Sequence, residues 1–194
     1  MGVEDTVGFS SGDRVLIFQA SGCSDSAGYD VDAVGLWEIG VISTITANNT
    51  IVLDHPLLHA YKLCGAVQLV RVASFNGNVR VQDTLRVAPW NGRSGGVLCL
   101  QVKGSLQLDA PIDVRGAGFA GGALWNGSGQ CSTTIANVGV NHPDAAAKGT
   151  TFVTPRPSDI AGGAALFSGG GGGLGHNSGG GGGGNTGNGG NGGA

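Results

Sequence analysis

The sequence predicts an all-β fold: a small β-barrel or β-roll, then short-strand β-solenoid (β-helix-like) rungs, and a glycine-rich, polyproline-II-like tail. Three observations predict it. The first third is built of runs rich in Val, Ile, Leu and Thr, separated by clusters of Gly, Ser, Asp and Asn. The next stretch carries shorter runs with one apolar stripe, broken every few residues by Gly, Asp or Pro. At the end, glycines recur at every third position. The regions so defined are 1–72 (barrel or roll), 73–118 (rungs), 119–160 (irregular loop insert) and 161–194 (glycine-rich tail).

In the first region, "DRVLIFQA" (13–20), "LWEIGVISTIT" (36–46), "TIVLDHPL" (50–57) and "AVQLVRV" (66–72) read as strands. The turn in "ITANNTIVL" predicts a tight hairpin in which Asn48 or Asn49 adopts a positive φ. In the second region the inward candidates pair up as Val79/Val81, Leu85/Val87, Leu98/Leu100/Val102, Leu106/Leu108 and Ile112/Val114. Such rungs bury their stripe only against a neighbouring rung. The third region has no period, and Trp125, Phe152 and Val153 are its candidate anchors.

The tail raises its own question, because glycine loses more backbone entropy on ordering than any other residue. Gly169, Gly172, Gly175, Gly181, Gly184, Gly187, Gly190 and Gly193 fall in a threefold frame that only Ser178 interrupts. A polyproline-II helix turns once every three residues and leaves its backbone groups unpaired. Glycines on its inward side would let such helices pack and bond to one another, so these eight are the candidate assembly residues.

Composition narrows the functional classes. Of 194 residues, 40 are glycine and 12% are charged, about half the usual fraction. The net charge is −3 and no basic run occurs, so nucleic acid is not an expected partner. No apolar run approaches the length of a membrane span, so membrane insertion is not expected either. The first residues run into a strand rather than a signal peptide, which predicts a mature chain or a piece of a longer one. Cys23, Cys64, Cys99 and Cys131 show no metal-ligand spacing and predict two disulfides in an oxidising compartment. Three connectivities are open. Cys99, on the outer face of "VLCLQVK" with Gln101 and Lys103, can reach Cys131, leaving Cys23 for Cys64.

The order of "GDRVLIFQASG", "GLWEIGVIS", "NTIVLDHPLLHAY", "VQLVRV", "APWNGRSGGVLCLQVKGSLQLDAPIDVRGAGFAGG" and "SGGGGGLG" resembles a module of large, glycine-rich bacterial surface proteins. These include gliding-motility and adhesin-like proteins of myxobacteria and their relatives. The resemblance spans roughly residues 12–175. It implies a β-rich cell-surface location with a glycine-rich run following a β-solenoid, and it brings no catalytic residues. The cysteine-bearing loops around Cys23 and Cys131 depart from that pattern.

Candidate chemistry is sparse. His55 and His59 are four apart, but they sit in a strand-then-turn context with no third ligand, so no metal or cofactor is expected. Asp109 and Asp113, with Asp83, are the carboxylates a polysaccharide-cleaving β-helix would use, although Asp at a solenoid corner usually forms a turn. Trp90, in the turn before "NGRSGG", and Trp125 are the candidate glycan contacts, whereas Trp37, flanked by Leu36 and Ile39, is expected in the core. Asn48 and Asn126 head N-glycosylation sequons, which matter only in a secreting eukaryote. The expected function is a non-enzymatic extracellular structural protein. It would be a subunit of a surface filament whose partners are copies of itself, joined by β-edges and glycine packing. A carbohydrate- or surface-binding adhesin domain that contacts surface glycans is the second reading. A polysaccharide-cleaving enzyme fragment is the third.

Overall fold

The computed structural model describes residues 3–121 and 149–153. Within them the chain is all-β, with strands β1 (Arg14–Gln19), β2 (Cys23–Ser24), β3 (Tyr29–Asp30), β4 (Trp37–Thr46), β5 (Thr50–Leu53), β6 (Val67–Arg71), β7 (Ala73–Phe75), β8 (Val79–Val81), β9 (Leu100–Val102) and β10 (Leu106–Leu108). No helix occurs among the described residues. Two compact units form: residues 1–20 with 33–118, and residues 21–32 with 119–194.

The first unit opens with an antiparallel sheet in the order β5-β4-β1-β6. Alternation along β1 sends Val15, Ile17 and Gln19 to the buried face. Val15, Ile17, Ile42 and Ile51 form the core, flanked by Phe9, Ile45, Leu53, Tyr61, Val67 and Leu69. A bulge between Ile42 and Thr44 shifts the register by one residue, which lets Ile42 and Ile45 both turn toward that core. The β4–β5 hairpin closes over residues 47–49 with Asn49 at φ 49°, the left-handed position that Asn tolerates. The expected barrel over residues 1–72 does not close. Four strands are too few to wrap around a filled interior, and the outer strands β5 and β6 do not pair.

From Val72 the chain changes its mode of pairing. β7 pairs with β9, β8 with β10, and Leu85 bridges Ile112, all in parallel. Every one of these pairings joins residues 27 apart, as do the bonds from Ser105 N–H to the Asn78 carbonyl side chain and from Arg86 to Asp113. Two successive 27-residue stretches, 73–99 and 100–126, therefore repeat in register as far as the described residues run. Val79 stands under Leu106, Val81 under Leu108 and Leu85 under Ile112. Their turns also stack. A Cβ on Gly104 would lie 2.4 Å from Asn78 Oδ1 and 2.7 Å from the Gly77 carbonyl carbon, so only glycine fits there.

In the second unit, β2 and β3 form a two-residue ladder whose turn is closed by Asp25 Oδ1, which accepts the N–H groups of Ala27 and Gly28. Gly22 makes a parallel bridge to Val153, which is buried. The expectations for Trp125, Asn126, Cys131 and the tail glycines lie outside the described residues.

Candidate functional site

Two buried polar side chains organise the surface of the first unit. On β1, the Gln19 amide exchanges hydrogen bonds with the backbone of Lys62: it donates to the Lys62 carbonyl at 3.0 Å and accepts the Lys62 N–H at 2.8 Å. On β4, the buried Glu38 carboxylate accepts the N–H of Leu58 at 2.9 Å and that of His59 at 3.3 Å. Both face the core side of the sheet, where an unpartnered polar group would be costly, so the backbone of the connection between β5 and β6 is pinned onto the sheet. Burial pushes the Glu38 pKa up, but the Leu58 N–H, the Tyr61 hydroxyl, the His59 N–H and the nearby His59 ring hold it below the ordinary value. Burial and the same carboxylate push the Tyr61 phenol well above its ordinary range.

Between this connection and β5 lies a cleft of about 710 Å³ lined mainly by apolar side chains, among them Ile51, Leu53, Leu57, Leu63 and Val67, with His55, His59 and Tyr61 as its polar groups. Leu58 and Leu63 are exposed, Leu63 by 85%. His55 Nδ1 lies 3.0 Å from the Pro56 carbonyl, and this bond, with Asp54 and Glu38 nearby, holds the imidazole above its ordinary pKa. His59 packs edge-on against Tyr61 with ring centroids 6.3 Å apart. The two histidines thus take separate partners, and no group of three or more His, Cys, Asp or Glu forms among the described residues. Glu38 is committed as an acceptor and lacks the raised pKa a general acid needs near neutrality. The cleft's chemistry is that of apolar contact.

Two of the three carboxylates in residues 73–118 are paired with arginines. Asp113 accepts from Arg86 at 2.8 Å and from Arg115 at 2.8 and 3.0 Å, and these bonds hold its pKa down at about 2. Asp109 is ion-paired with Arg80 and accepts from Gln107 at 2.9 Å. Asp83 accepts the N–H of Thr84, a turn contact.

Three sequence expectations change. Trp37 is 60% exposed, because Glu38, Gly40 and Ile42 take the buried face of β4 and alternation turns Trp37 outward. Trp90 is instead half-buried, its backbone N–H bonded to the Ala117 carbonyl at 2.8 Å across the same 27-residue spacing. Cys23 and Cys64 are disulfide-bonded, whereas Cys99 is a free thiol, so the bridge expected at Cys99 is not made. Its side chain is half-buried, whereas Gln101 and Lys103 are exposed. Asn48 is exposed on the hairpin turn.

Sequence reasoning missed Gln19 and Glu38. Their signal is parity: each shares the inward phase of its strand with aliphatic or small neighbours, Val15 and Ile17 for Gln19, Gly40 and Ile42 for Glu38. No family model matches the chain, and no curated protein or solved structure matches it.

Proposed function

We propose that this chain is a non-enzymatic structural module of an extracellular or cell-surface assembly, in which the 73–118 region forms β-solenoid coils and copies associate through strand edges and glycine-rich segments. The observation that carries this reading is the constant 27-residue register of the parallel pairings. A coil that repeats in register offers the same backbone edge to whatever comes next, and an open edge is a template for another chain. The disulfide-bonded cysteines support an oxidising compartment. The paired Asp109 and Asp113 support a structural role for those carboxylates.

An adhesin is the second reading. Trp37, exposed on the sheet, and the apolar cleft favour it, since a flat aromatic face stacks on sugar rings.

Negative-stain electron microscopy of the full chain, beside a chain truncated after residue 160, separates the two. Fibres or oligomers that vanish on truncation support assembly through the glycine-rich segment. Discrete single particles in both samples contradict it and direct the search to glycans, with Trp37→Ala as the binding control.

A further inference from the structure

We infer that the outer edge of β10 is a two-fold docking surface for a second copy of this chain; the inference rests on the self-assembling reading above and names the surface. The bonds to β8 involve the Ser105 carbonyl, which accepts from Val79, and the Asp109 N–H, which donates to Val81. Strand geometry then turns the N–H and C=O groups of Leu106 and Leu108 to the opposite edge, where no strand pairs with them among the described residues. The side chains on this coil are left open too. Leu106 is 41% exposed, Leu108 51% and Val114 46%, although they continue the stripe formed below them by Val79, Val81 and Val87.

One 27-residue step further along, the sequence lacks the apolar residues that a next layer of the stripe would need. Stepping 27 residues on from Leu100, Val102, Leu106, Leu108, Ile112 and Val114 meets Gly127, Gly129, Thr133, Ile135, Gly139 and Asn141, which retains a single large apolar residue. A second copy supplies it, because β10 is complementary to itself when reversed. An antiparallel pair centred on Gln107 sets Leu106 opposite the partner copy's Leu108, and the reverse, as hydrogen-bonded pairs, with the two Gln107 residues facing each other at the axis. Such a contact closes on itself, so it joins copies in pairs, and longer assemblies need the glycine-rich segment.

The test uses the full chain in a Cys99→Ser background. Gln107→Cys places two thiols at the axis, in a non-hydrogen-bonded antiparallel pair whose spacing suits a disulfide. Mild oxidation is expected to give a covalent dimer with Gln107→Cys and none with Arg80→Cys, the matching position one coil earlier. Leu106→Lys with Leu108→Lys, both at exposed positions, is expected to weaken dimerisation by at least about tenfold in sedimentation equilibrium. A parent chain that associates while Gln107→Cys fails to cross-link and the lysine pair has no effect overturns this surface and leaves self-assembly standing. A parent chain that stays monomeric overturns both.

Discussion

At the scale of single residues, Glu38 is the side chain on which the cleft depends. Its folded pKa lies below the unfolded value near 4.5, so its contribution to stability is complete above that value and is lost as pH falls through the folded value. Urea midpoints measured from pH 6 down to pH 3 should therefore fall in the parent chain and fall less in Glu38→Gln. Glu38→Ala leaves the Leu58 and His59 N–H groups without their acceptor and should cost about 2–3 kcal/mol. Asp113, held by two arginines, should titrate near 2 in a carboxyl NMR experiment. A value near the ordinary one would break the account of the arginine pairs. How much of this was legible varies by residue. The positive φ in the hairpin turn was readable and falls on Asn49. Trp37 and Trp90 were read the wrong way round, because flanking apolar residues do not say which face of a strand is covered. The inward phase of β4 is set by Gly40, where an added Cβ would come within 3.2 Å of Leu53 Cδ1, and by Ile42.

Among the strands, the parallel pairings of β7 with β9 and β8 with β10 carry the clearest sequence-to-structure link. The alternating apolar pairs Val79/Val81 and Leu106/Leu108 were read as inward; they pair in register, but Leu106 and Leu108 are exposed. The 27-residue lag was also there to be read, since Gly77 and Gly104, Leu85 and Ile112, and Val87 and Val114 recur at that spacing. It is masked because identity is kept only at scattered positions such as Gly77/Gly104 and Val87/Val114, and because Pro111 replaces Thr84 in the turn. The stacked turns predict an asymmetry between two otherwise similar glycines. Gly104→Ala forces a Cβ against the turn below and should destabilise by about 1–3 kcal/mol. Gly77→Ala meets nothing within 4 Å in its own chain and should stay within about 0.5 kcal/mol of the parent. Equal effects in thermal or chemical melts would contradict the stacking. Of the two forms expected over residues 1–72, barrel or roll, the closed barrel does not form. Strand-rich sequence with short turns fits an open sheet as well as a closed one, and only the order β5-β4-β1-β6 decides between them.

For the whole molecule, two properties carry the proposed role: covalent reinforcement and association. Reducing the disulfide-bonded Cys23 and Cys64 should lower stability by about 2–4 kcal/mol, measured by denaturant melts with and without reductant. Without reductant, Cys99 should be the thiol that reacts among the three described cysteines. Low charge density and an apolar stripe ending at an exposed edge both favour contact between copies. The most direct measurement is sedimentation velocity on the full chain across a concentration series under oxidising conditions. The account predicts a sedimentation coefficient that rises with concentration as copies associate. A single species of monomer mass at every concentration would contradict it.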